Sequence, residues 1–320
     1  MKLLELADNL EHEAWHFEQL SYGGAHETIE DGELANLLTK INALDRGYLS
    51  TIEIMSMRLF EKEARKYSPS SELCDVARAA LLKLVSSHRE ELKPNLLHRI
   101  DRIVEEVLGS AAPENEVKEI IDSLCAGIGD YRLYAFDMTQ IITPLVRKYP
   151  EQFLNAIFNG SDNEEALAHL MFREGTTRDA PTMNDAPLDR VLAWCGTDQQ
   201  RIAKVAKILH AYSVQEPSDA SDENPKCMVL SKHIRTLLEI AQDKGSIVEV
   251  IFENANPSSW SGSIADIFEV RSKAFAELLQ YPDPAVQALV KTKLALFEQR
   301  IHLERAREAV ENNEREQRFE

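Results

Sequence analysis

Apolar residues recur at three- and four-residue steps along most of this 320-residue chain, and strand-like alternation is almost absent. That spacing puts one apolar stripe on each of a series of amphipathic helices. Leu34, Leu37, Leu38, Ile41 and Leu44 form one stripe, and Leu73, Val76, Leu81, Leu84 and Val85 another. Leu97, Ile100, Val104, Val107 and Leu108 follow, then Val117, Ile120, Ile121 and Leu124. Gly and Pro number only 12 each, too few for the tight turns of a many-stranded sandwich or barrel. The expected fold class is all-α.

The punctuation between stripes is that of helix ends. Ser68 and Ser70 flank Pro69 and offer an N-cap, because a side-chain oxygen there satisfies an otherwise unpaired backbone N–H. Pro94, Pro113 and Pro150 each suit a first turn, where the missing N–H costs nothing. The aromatic segment 131–149 contains Pro144, which predicts a kink or two short helices. Asn159-Gly160 and Gly196 are stop signals. Residues 173–187 and 213–226 are polar, turn-rich and read as loops, and a helix is expected over 228–241. Near the end, Ser263 is an N-cap candidate, followed at Asp266 by an acid suited to the positive helix terminus. A further helix opens at Asp283-Pro284 and carries Val286, Leu289, Val290, Leu294 and Phe297. Beyond Leu303 the sequence is almost wholly charged; Glu-to-Arg pairs such as Glu311 with Arg315 can extend that helix, which has little left to pack.

Helices of about 10–20 residues joined by short links give antiparallel neighbours, and a hairpin with a single stripe must stack on the next. An irregular α-solenoid is the expected architecture, with 1–212 as a helical-repeat region, 213–226 as an acidic polar loop and 227–320 as a C-terminal helical region. Residues 275–290 resemble the HEAT-repeat family: paired Leu278 and Leu279 end one helix, Asp283-Pro284 makes the turn, and Val286, Leu289 and Leu294 continue the next. The family places a basic residue where Gln287 stands. The stretch from Trp260 through Asp283-Pro284 to the charged end also resembles the C-terminal helical region of large bacterial defence proteins of the signal-transducing NTPase class. No G-x-x-x-x-G-K-[ST] loop accompanies it here. Together the resemblances imply a sensor or scaffold whose surface binds another protein, in bacterial phage defence.

Lys+Arg total 36 and Asp+Glu 54, a net charge of −18. Such a surface repels phosphate, so a nucleic-acid partner is disfavoured and a basic protein partner suits it. No apolar run approaches the ~20 residues that span a bilayer, so no membrane role is expected. Cys74, Cys125, Cys195 and Cys227 are far apart with no C-x-x-C pair, which reads as reduced thiols in a cytoplasmic protein.

One pattern carries potential chemistry. His12-Glu13-Ala14-Trp15-His16 fits H-E-x-x-H, in which two histidines four apart share a zinc and the glutamate acts as base on the bound water. Only eleven residues precede it, Gln19 and Tyr22 stand where the extended motif needs Gly and His, and His26, Glu30 or Glu33 would have to serve as third ligand. The preferred reading is the polar face of a first helix with Trp15 and Phe17 packing inward. Trp260, beside Ser-Gly-Ser, is a candidate binding anchor, since Trp is enriched in interface hot spots; the alternative is a loop staple. The expected function is a non-enzymatic, cofactor-free scaffold or sensor that binds a protein. The alternatives are a zinc hydrolase using His12, Glu13 and His16, and an acidic inhibitor that mimics nucleic acid. Untagged protein purified without chelator is expected to hold no stoichiometric zinc by elemental mass spectrometry. About one zinc per chain, lost in His12→Ala, would put the hydrolase first.

Overall fold

A computed structural model describes residues 29–62, 67–92, 100–109, 112–172, 181–215, 227–257 and 261–319. The described residues hold fourteen α-helices and one two-stranded hairpin, an all-α fold. The chain divides into two compact units, Met1–Met171 and Phe172–Glu320. That boundary precedes residues 173–187, read from sequence as a polar loop, whereas residues 213–226, expected to separate two regions, fall within the second unit.

The first unit contains α1 (Asp31–Asn42), α2 (Gly47–Lys62), α3 (Ser71–Ser86), α4 (Ile100–Val107), α5 (Glu114–Gly129), α6 (Thr139–Lys148) and α7 (Pro150–Ile157), with α8 (Glu164–Phe172) reaching its end. Contacts run α1 to α3 to α5 to α7, and separately α2 to α4 to α6. The two rows also touch each other through α1–α2, α2–α3, α3–α4 and α6–α7, so the unit is two-layered. The stripes read from sequence are its core: Leu34, Leu38 and Ile41, then Leu73, Leu81 and Leu84, then Ile120, Ile121 and Leu124 are all buried. The α1–α2 turn is tight because Arg46 adopts φ 57° and Gly47 lies against the Ile41 carbonyl, leaving no room for a Cβ. Ser70 caps α3, its hydroxyl accepting from Leu73 N. Pro144 does not break its segment: residues 131–138 are turns, and α6 runs unbroken through the proline.

Long polar side chains cross-link these layers. Arg58, only 1% exposed, donates to the Asp31 carboxylate, to the Tyr67 hydroxyl at 2.9 Å and to the Ile29 carbonyl at 3.0 Å. Asp31 also accepts from the Tyr67 hydroxyl at 2.6 Å and from Ser70 N at 2.8 Å. One carboxylate thereby joins α1, α2 and the entry to α3. Burial opposes its charge, but the bonds from Tyr67, Ser70 and Arg58 outweigh it and hold the Asp31 carboxyl below its ordinary value. Burial and the bond to Asp31 push the Tyr67 hydroxyl up to about 12. Arg78 on α3 plays a similar part, donating to Glu116 on α5 and to the Val107 carbonyl that ends α4.

The second unit contains α9 (Leu188–Cys195), α10 (Gln199–Ile208), β1 (Tyr212–Gln215), β2 (Cys227–Leu230), α11 (Lys232–Ile240), α12 (Lys244–Glu253), α13 (Ile264–Ala276) and α14 (Pro284–Phe319). Tyr212 pairs with Leu230 and Gln215 with Cys227 in the antiparallel hairpin. The helix expected from Met228 therefore starts later, with Ser231 as its N-cap. Phe252, Phe268, Phe275 and Phe297 form an aromatic core with centroids 4.9–6.3 Å apart. Gly196 ends α9 at positive φ, Ser263 caps α13 and Asp283 accepts from Ala285 N at the start of α14, as read from sequence. The charged end of α14 is mostly exposed, as read from sequence, but Glu308 accepts from the Ser263 hydroxyl and from Ile264 and Ala265 N. It supplies the negative group that the N-terminus of α13 favours.

The Asp31–Arg58 pair yields a stability prediction with a sign. Asp31→Asn leaves the buried Arg58 charge without its carboxylate and is expected to cost about 3–5 kcal/mol at pH 7 by urea unfolding. Because the folded value is depressed, the wild-type contribution is full above the ordinary 3.8 and is lost as pH falls through the folded value. The gap between wild type and variant is therefore expected to close on acidification below about pH 4.

Candidate functional site

The sequence-derived candidates His12, Glu13, His16 and Trp260 lie outside the described residues, as does His26. Among the described residues no group of three or more His, Cys, Asp or Glu could hold a metal ion. His210 and His233 are structural. His210 N donates to the Asn184 side chain at 2.8 Å, and His233 Nε2 lies 3.0 Å from the Ala186 carbonyl. Burial lowers both imidazoles from their ordinary value and keeps them neutral at pH 7. Burial also pushes the Cys125 thiol up to about 12 and Cys195 to about 11, so neither is a thiolate nucleophile.

The feature that stands out is the turn after α5. The chain doubles back so tightly that Arg132 N and Leu133 N both donate to the Gly127 carbonyl, at 2.9 and 3.0 Å. A Cβ at Gly127 would meet Leu133 Cδ1 at 2.9 Å and the Val85 carbonyl at 3.2 Å, so the close packing here favours glycine. Tyr131 is forced to φ 58°, a left-handed conformation that bulky side chains avoid.

From there the side chains alternate. Leu133, Ala135 and Met138 are buried and anchor the turn. Tyr131 (65% exposed), Tyr134 (43%) and Phe136 (60%) face solvent. The turn is also pinned laterally. Arg132 donates to the Ser86 carbonyl at 2.8 Å, while Arg89 N donates to the Arg132 carbonyl at 2.9 Å. The Arg89 guanidinium lies 4.3 Å from the Tyr134 ring centroid and pairs with Asp137 at 3.0 Å. These aromatics are thus held on an ordered backbone.

Tyr131 also stands at the rim of an open cleft of about 720 Å³ between α5, α7 and α8. The cleft exists because the facing helices carry small residues there: Ala126 and Gly129 on α5, Ala156 on α7 and Ala166 on α8. Its polar lining is Gln152, Asn155, Asn159 and Asn163, with Glu114, Asp122 and Asp130 and the single cation Lys118. Lys118 is paired with Asp122 one turn along α5. The Gln152 Oε1 atom is buried with no hydrogen-bond partner. Comparison of the chain with protein-family models, curated proteins and solved structures finds no match.

Sequence reasoning noted that residues 131–149 are unusually aromatic but did not place those rings on the surface. The available signal was Tyr131-Arg132-Leu133-Tyr134-Ala135-Phe136 just after a helix ending in Gly129-Asp130, too short and irregular to be a buried strand or helix. Nothing local marks the cleft, which depends on α5, α7 and α8 meeting.

The strain at Tyr131 separates stability from function. Tyr131→Gly relieves the left-handed conformation and, since the ring is mostly solvated, is expected to raise the unfolding free energy by about 0.5–1 kcal/mol. Equilibrium urea denaturation checks this, and a loss of stability would show that the ring is held by packing instead.

Proposed function

We propose that this chain is a helical scaffold that binds a partner protein through the aromatic turn at residues 131–136 and the adjoining cleft. The observation that carries the reading is the exposure of Tyr131, Tyr134 and Phe136 on a turn pinned by Arg132 and Arg89. Large aromatic side chains with few rotatable bonds lose little entropy on binding and supply much of the energy at protein interfaces. Exposing three of them within six residues works against solubility, and holding one in a strained backbone works against stability. Both are explained if a partner covers the turn.

The other expected functions draw no support from the described residues. The zinc motif lies outside them. Nucleic-acid mimicry calls for carboxylates massed on one face. Many here are instead interleaved with cations, as in Lys118–Asp122, Arg305–Glu269 and Arg307–Glu304. The link to bacterial defence rests on the resemblance of the last helices alone, and no helix among the described residues is long and apolar enough to cross a membrane.

A photo-crosslinking residue at position 136, introduced in the native host, tests the reading. It is expected to capture the same single protein as one at position 131, and one at exposed Leu303 is expected to miss it. Phe136→Ala is expected to weaken the captured partner by about 2 kcal/mol, roughly 30-fold, with the unfolding midpoint unchanged. Equal capture from all three positions would place binding elsewhere.

A further inference from the structure

We infer that the cleft between α5, α7 and α8 binds an extended peptide segment bearing lysine or arginine. This assignment rests on the reading of the turn as a partner surface and adds the chemistry of what enters beside it.

Three properties of the cleft converge on such an occupant. The first is its amides. Gln152 and Asn155 lie about one turn apart on the same side of α7, and Asn159 and Asn163 continue past its end. A carboxamide has both donor and acceptor groups, the same complement as a peptide group, so a row of them suits an extended backbone, although Asn159 Oδ1 already accepts from Ser161 N at 2.9 Å. Gln152 Oε1 is in addition buried and without a partner, an acceptor that a peptide N–H satisfies once the side chain turns toward the cleft.

The second property is charge. Lys118 is met by Asp122 and Asp130 lies 3.9 Å from Arg132, so Glu114 leaves the cleft acidic, and the whole chain carries −18. Charge complementarity selects a cationic segment and rejects phosphate-bearing ligands. The third is the Tyr131 ring at the rim, 65% exposed, whose face attracts a guanidinium or ammonium group.

Dimensions agree with a short core motif. The eight residues of α7 span about 12 Å, the length of roughly four residues of extended chain. The space between the helices is flanked by Ala126, Gly129, Ala156 and Ala166 but also by Leu167 and Leu170, which favours a thin occupant. A single extended strand meets that requirement, and the convex side of a folded domain does not.

Fluorescence anisotropy with three labelled peptide pools decides the matter. Each pool holds 12-residue peptides with alternate positions randomised. The remaining positions are Lys or Arg in the first pool, Glu in the second and Gln in the third. The basic pool is expected to bind the full chain most tightly. Ala166→Trp, which fills the cleft from an exposed position on α8, is expected to abolish that binding without altering the unfolding curve. Tyr131→Ala is expected to weaken it about tenfold, and N-methylation of the peptide backbone to do likewise.

Cleft-dependent binding of the Glu or Gln pool instead would overturn the cationic assignment while leaving the protein-binding reading in place. Basic-pool binding indifferent to Ala166→Trp would mean general attraction to an acidic surface and would overturn the site. Absence of binding by every pool would also overturn it, and the crosslink from position 136 would then decide the broader reading separately.

Discussion

The short helices of this chain depend on neighbours to cover a single apolar stripe. α4 and α7 have only eight residues each, below the length at which an isolated helix persists in water. Their stability comes from burying Ile100, Ile103, Val104 and Val107 in one case and Phe153, Leu154 and Ile157 in the other. In the first unit that cover comes from the next helix and the next but one. Beside α7 the facing residues include Ala126, Gly129, Ala156 and Ala166, and there the helices leave a cleft.

Apolar stripes tolerate sliding, and polar cross-links do not. Arg58 and Arg78 reach from one helix to carboxylates and carbonyls on others, and each contact is directional. A helix shifted by one turn would strand a buried guanidinium, which is far more costly than a looser apolar contact. The same logic holds the aromatic turn, where Arg132 meets the last carbonyls of α3. The site is thus tied to the helix register through hydrogen bonds as well as through packing.

Much of the helical fold is legible in the sequence because its causes are local. Ser70, Ser263 and Asp283 act on residues two or three positions away, and apolar spacing reports which face is buried. The errors arise where the cause is remote. The strand Cys227–Leu230 is four residues long and gains its identity from pairing with Tyr212–Gln215. Glu308 finds its partner 45 residues away at Ser263, a contact by one side chain of an otherwise exposed tail that no local pattern announces. The site divides the same way: the aromatic segment was visible, and its exposure and the cleft were not, because both depend on which helices meet.

That remote carboxylate changes how the last helix behaves. An ordinary helix unwinds from its tip one residue at a time, each step independent of the rest of the molecule. Here unwinding of α14 past Glu308 strips the opening turn of α13 of the acceptor for Ile264 and Ala265 N. Below that point the two helices no longer open separately; they form one cooperative unit, with Glu308 as its latch.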